Sequence, residues 1–123
     1  MKQTTLYERL GGYDGIAGFV DSFFSRVQAD QQIGRFWQHR GDDGLIREKR
    51  ITVDYLSLAM GGPVHYTDRD LRTTHKGMGI SASDWSVFLG HAAQTMEALG
   101  LPQQEYQEVY ALLGNLEGDI VEE

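Results

Sequence analysis

The sequence holds four histidines, His39, His65, His75 and His91, and their spacing limits the chemistry they can do. No two lie three or four residues apart, so no helix can offer a histidine pair to zinc. Cysteine is absent, which removes disulfides, thiolate nucleophiles, Cys-ligated zinc and Cys-bound iron–sulfur clusters. No glycine-rich phosphate loop with a lysine occurs. A Ser-His-Asp set would have to be gathered from scattered residues that no local pattern favours. One histidine stands apart from the rest. In LRTTHKGMGIS, residues 71–81, His75 closes a short helical pattern one turn after Leu71, and Gly77 and Gly79 follow it. Its imidazole therefore projects on the same side as an apolar side chain. Periodicity leaves two readings open. His75 is either a core histidine satisfied by a backbone carbonyl, or a neutral imidazole giving one nitrogen to a metal while its other N–H donates to a carbonyl or a threonine. One protein nitrogen is enough where a porphyrin supplies the in-plane ligands.

The elements that would position this residue are helical throughout. Thr4 or Thr5 can cap a short first turn, Leu6 to Leu10, closed by Gly11-Gly12. Asp14 is a plausible cap for a second helix, along which Ile16, Phe19, Val20, Phe23, Phe24 and Val27 recur at the three-and-four spacing of one apolar face. Ile33, Phe36 and Trp37 form a compact cluster before the loop HRGDDG. Asp42 or Asp43 can cap a third helix from about Gly44 to Met60, which Gly61-Gly62-Pro63 stops. Thr67 with Asp70 resembles a capping box that opens the helix ending at His75. Ser81 with Asp84 opens a long helix with the stripe Trp85, Phe88, Leu89, Ala92, Ala93, Met96 and Leu99. A last helix presents Tyr106, Val109, Tyr110, Leu113, Leu116 and Ile120. No strand pattern emerges, so the fold class expected is all-α.

With 123 residues, 41% of them hydrophobic, the chain is expected to form one domain spanning residues 1–123. The net charge of −7 argues against nucleic acid and against anionic membrane surfaces as partners, since both need basic patches. No apolar run reaches the roughly 20 residues of a membrane helix, and the first residues lack a signal-peptide core. A soluble, cytoplasmic protein is expected. The aromatic residues of the second helix, with Phe36-Trp37, suit a flat apolar cofactor, although plain core packing is the commoner explanation of such stripes.

The order of blocks LYERLGG, VDSFFSRVQAD, IGRFW, DYLSLAMGGPVHYT and LRTTHKGMGIS, followed by SASDWSVFLGHA, resembles the truncated haemoglobins, the short two-over-two helical globins, and most closely their first group. The resemblance covers nearly the whole chain. It implies a two-over-two helical sandwich around haem b (iron protoporphyrin IX), with His75 as the proximal iron ligand. It also implies that Phe23 packs on the distal side, that Phe36 and especially Trp37 touch the porphyrin, that Phe88 meets its plane and that Leu71 packs beneath it. Tyr66 and Arg47 fall near positions that approach the propionates. Glu48 stands at the usual distal-gate position, Thr52 where glutamine is common and Ile51 close by.

Phe24 departs from the family pattern, because it occupies the distal place usually held by tyrosine, whose hydroxyl donates to bound oxygen. A hydrogen bond of that charged kind is worth roughly 1.5–3 kcal/mol, so weak oxygen retention is expected unless Thr52 or a water compensates. The resemblance thus implies reversible binding of a diatomic gas, whether oxygen, nitric oxide or carbon monoxide. Two other classes remain. One is a haem redox enzyme acting on nitric oxide, nitrite or peroxide (or a gas sensor), which would need a reductase, since the chain has no flavin or nicotinamide motif. The other is a haem-free helical interaction module. His39, in the loop after Trp37, is a candidate sixth ligand of the resting iron.

Overall fold

The computed structural model describes residues 5–37, 41–63 and 77–122, and Asp42 by its backbone alone. Among these residues the chain is helical without strands: α1 (Leu6–Arg9), α2 (Gly12–Gln28), a short 3-10 helix (Gly34–Trp37), α3 (Asp42–Ala59), α4 (Ala82–Ala98), α5 (Gln103–Gly114) and α6 (Glu117–Ile120). The Thr67–Asp70 capping box and the helix expected to end at His75 lie outside the described residues, as do His39 and His65.

The helix starts follow cap chemistry, with two corrections to the sequence reading. Thr5 caps α1 by accepting the Glu8 N–H. Helix α2 begins at Gly12, not after Asp14, because Gly11 takes a left-handed φ of 97° and turns the chain straight out of α1. Asp14 then lies in the first turn, where the helix dipole favours a carboxylate. Helix α3 is likewise capped by the extended backbone of Gly41, which places Asp42 and Asp43 inside the helix instead of at its cap. At α4 the expected capping box is complete: Ser81 Oγ accepts the Asp84 N–H at 3.0 Å, and the Asp84 carboxylate accepts the Ser81 N–H at 3.1 Å. The final helical stretch divides into α5 and α6.

All six predicted apolar residues of α2 are buried. They meet Val53, Leu56 and Met60 of α3, Ala92 and Met96 of α4, and Val109 and Leu113 of α5 in one core. Burial of each such aliphatic or aromatic side chain contributes about 1.5–3 kcal/mol. Leu99 and Tyr110, expected on the apolar stripes, are instead exposed. A second cluster joins Ile80, Trp85 and Ile120 at the start of α4. Polar ties fix the helices around these cores. Arg9 spans from α1 to α5, meeting Glu105 at 3.0 Å and Glu108 at 2.6 Å. Tyr7 donates its backbone N–H to the Met60 carbonyl at 3.0 Å, and the Tyr7 ring lies where any Cβ at Gly62 would collide at 2.6 Å. Gly62 therefore lets the end of α3 close over α1. No helix among the described residues is long and apolar enough to cross a membrane.

Candidate functional site

Five of the residues singled out from sequence form one continuous aromatic wall. Phe23 and Phe24, at 3% and 5% exposure, come from consecutive positions of α2. Phe23 stands edge-on to Phe88 of α4, with ring centroids 4.6 Å apart, and stacks along its own helix on Phe19 at 5.7 Å. Phe24 meets Trp37 edge-on at 6.1 Å, and Trp37 in turn meets Phe36 at 6.3 Å. Such offset and edge-to-face pairs are worth about 0.5–1.5 kcal/mol beyond the area they bury. Helix α2, the 3-10 helix and α4 thus hold the rings in mutual register.

Beside this wall lies a mostly apolar cavity lined by Phe36, Trp37, Met78, Ile80, Trp85 and Phe88, together with Ile33, Ile120 and Asp84. Met78 and Ile80 belong to the stretch directly after His75. Trp85, on the apolar stripe of α4, is buried as that stripe predicts, and it also lines the cavity and stacks on Phe88 with centroids 5.0 Å apart. Its indole Nε1 is buried and finds no hydrogen-bond partner among the described residues. The signal for this role was available, since Trp85 precedes Phe88 by the three residues that align side chains on a helix.

An ion pair braces the same corner. Arg35 of the 3-10 helix reaches the buried Asp84 carboxylate at 2.9 Å and stacks its guanidinium 4.3 Å from the centroid of the Phe36 ring. Gln32 adds a further donor to Asp84 at 2.8 Å. The Arg35 hydrogen bond, then those of Gln32 and Ser81, hold the Asp84 carboxyl well below the usual carboxylate range despite its burial. No local pattern in the sequence joins Arg35 to Asp84, because the chain separation is 49 residues. A second pair, also invisible in sequence, ties the end of α2 to α4. His91 Nε2 lies 2.7 Å from Asp30 Oδ2, while Asp30 Oδ1 accepts the backbone N–H groups of Gln32 and Ile33. The His91 bond and these amides lower the Asp30 pKa. His91 is accordingly a boundary residue, as its place beside the apolar stripe of α4 suggests.

The α3 residues assigned to the site are arranged differently. Arg47 is exposed, whereas Glu48, Ile51 and Thr52 are half-buried. Thr52 Oγ1 donates to the Glu48 carbonyl one turn earlier at 2.8 Å. Its single hydroxyl proton is therefore engaged within the helix. His75, Leu71 and Tyr66 lie outside the described residues.

Comparison with known proteins places this geometry. The model of the bacterial-like globin family matches residues 5–122. The chain is similar to a group 1 truncated haemoglobin of Mycolicibacterium paratuberculosis, 29% identical over 116 residues, covering 94% of this chain and 83% of the relative. It is also similar to a group 1 truncated haemoglobin of Tetrahymena pyriformis, 26% identical over 120 residues, covering 98% and 97% of the two chains. The solved structure of truncated haemoglobin from Tetrahymena pyriformis in its Fe(III) form superposes with a TM-score of 0.87 at 25% identity, covering 98% of this chain and all of the other (100%). The two-over-two haemoglobin of a Synechococcus species, solved in the cyanomet state with covalently attached haem, shares the fold with a TM-score of 0.87 at 23% identity, covering 96% and 98%.

Proposed function

The chain belongs to the bacterial-like globin family, within the two-over-two truncated haemoglobins, and from that premise we propose that it holds haem b through His75 and reversibly binds oxygen or another diatomic gas on a side poor in hydrogen-bond donors. The observation that carries this reading is the aromatic wall of Phe23, Phe24, Phe36, Trp37 and Phe88 beside an apolar cavity that opens onto the residues following His75. Flat rings on one side and aliphatic groups such as Ile80 and Ile120 on another suit a planar apolar group. The Trp85 N–H, without a partner among the described residues, fits the same ligand, because a buried donor costs about 1–3 kcal/mol until an acceptor is supplied. A porphyrin offers both π-face and carboxylate acceptors. When bound, haem would supply an iron that can take one protein nitrogen and bind a gas.

The remaining chemistry belongs to the chain. His75 would give the iron its protein nitrogen, and the Gly77 and Gly79 turn leads from the residues after it to α4. Trp37 and Phe88 hold the cofactor plane and exclude water. By the family resemblance, Leu71 would pack beneath it, Tyr66 and Arg47 would serve the propionates, and Glu48 and Ile51 would stand at the gas side. Phe24, fixed against Trp37, offers no hydroxyl, and the Thr52 hydroxyl is spent on the Glu48 carbonyl. Neither retains a proton to donate to a gas. Nitric oxide and carbon monoxide fit such a site as well as oxygen does. A separate reductase would keep the iron ferrous.

Oxygen release measured by stopped flow tests the donor-poor gas side. The Phe24→Tyr variant should slow release about tenfold or more, the equivalent of one hydrogen bond to a charged acceptor. An unchanged rate would refute the assignment of Phe24 to the gas side. Axial ligation is read from the Soret band, which His75→Ala should lose and added imidazole should restore.

A further inference from the structure

The chain returns, after α6, to the residues that follow His75. Ile120 is buried with Ile80 and Trp85, and just beyond it Glu122 donates its backbone N–H to the Ile80 carbonyl at 2.9 Å. The Glu122 side chain then accepts two more backbone hydrogen bonds, from Gly77 N to Oε2 at 3.0 Å and from Gly79 N to Oε1 at 2.8 Å. Gly77 and Gly79 have φ values of 84° and 70°, which aim their amides at one carboxylate and which a side chain would strain. One carboxylate thus bridges the residues two and four positions after His75, one oxygen to each. Bonds of this charge-assisted type are roughly twice as strong as neutral ones.

We propose that Glu122 is a positioning residue for His75, its carboxylate fixing the backbone at Gly77 and Gly79 so that the axial imidazole is held in one orientation. This rests on the reading of His75 as the haem ligand. The physical case is direct. Glycine retains the most backbone freedom of any residue, so a stretch with glycine at two alternate positions holds a neighbouring side chain poorly unless something outside it supplies the constraint. Only one residue, Lys76, separates His75 from the first clamped amide, and each intervening peptide unit is planar and stiff. A fixed Gly77 amide therefore restrains the backbone two residues after His75. The clamp is itself anchored, since Ile120 is packed in the cluster of Ile80 and Trp85.

The test compares the haem-loaded wild type with Glu122→Gln and Glu122→Ala. Glutamine keeps the size of the side chain but has one acceptor oxygen, enough for one amide; alanine has none. Amide exchange at Gly77 and Gly79, followed by NMR, should rise about tenfold at one glycine in the glutamine variant and at both in the alanine variant. The iron–histidine stretching band of the ferrous protein, read by resonance Raman, should broaden or shift in the same order. Circular dichroism should stay at the wild-type level, because Glu122 is exposed. Unchanged exchange in both variants would refute the clamp. Raised exchange with an identical band in all three proteins would refute its action on His75. Failure of the underlying reading shows separately, as an iron–histidine band that persists in His75→Ala.

Discussion

Helix α2 and the first half of α3 carry neighbouring parts of the assigned site, and they are held in opposite ways. On α2 the rings of Phe23 and Phe24 are buried and interlocked with Phe88 and Trp37, residues from two other elements. Along residues 43–52 of α3 none is buried; Thr52 points its hydroxyl back at its own helix, and Lys49 reaches the exposed Asp21 of α2 at 2.8 Å. The difference separates two kinds of positioning. A ring in the wall is placed by packing, so any change to it is felt across several helices. A residue on the half-exposed face of α3 is placed by its helix and by surface pairs such as Lys49 with Asp21, so a change there should stay local. Burial is thus expected to rank the effects of substitution on stability, whereas proximity to the gas ranks the effects on release.

The sharpest way to break this comparison is Phe88→Ala. The ring lies between Trp85 at 5.0 Å and Phe23 at 4.6 Å, so its removal opens the junction between α2 and α4. We expect a loss of about 3 kcal/mol in urea unfolding, the low end for phenylalanine truncation because the ring is half-buried. The matched change Ile51→Ala, on α3, should cost distinctly less. Equal losses would show that α3 is packed as firmly as the wall.

Next in size is Asp84→Asn, which weakens the brace between the 3-10 helix and α4. Arg35 and Gln32 lose a charged acceptor, at an expected cost of about 1–3 kcal/mol near neutral pH. The pH dependence has a definite sign. Because the folded-state pKa of Asp84 is depressed, its contribution is fully present above the ordinary carboxylate value of about 3.9 and is lost as pH falls below it. The wild type should therefore lose stability relative to Asp84→Asn on acidification, and the two unfolding curves should converge. A gap that stays constant down to acid pH would remove Asp84 from this role.

The same contrast explains what the sequence made legible. The aromatic wall was readable because Phe19, Phe23, Phe24 and Phe88 repeat at helical spacing, and helical spacing is a local property. The fold followed from the same stripes and from stop signals such as Gly61-Gly62-Pro63. The braces were not readable. Arg35 with Asp84, Asp30 with His91 and Glu122 with Gly77 each join residues separated by 45 to 61 positions, and nothing in a local window encodes such a meeting. Cap positions failed for a smaller reason. Gly11 and Gly41 took the boundary backbone conformations, and the aspartates expected at the caps fall inside the first turn. Whether the Thr52 hydroxyl is spare was open in the sequence, because the helix supplies an acceptor four residues back, an option open to any helical threonine.

Thr52→Val gives the smallest expected effect and the cleanest separation of the two regions. Valine keeps the branched shape and removes only the hydroxyl, whose proton already lies on the Glu48 carbonyl. That carbonyl can still serve its own helix, so stability should change by no more than about 0.5 kcal/mol, as for substitutions away from packed or buried polar features. Oxygen release should change by less than about twofold, whereas one new donor at Phe24 is expected to change it tenfold or more. Release that accelerates strongly in Thr52→Val would mean that the hydroxyl turns from Glu48 toward the gas. In that case the distal donor of this globin would reside on α3, and Phe24 would mark where the donor was moved from instead of where it was lost.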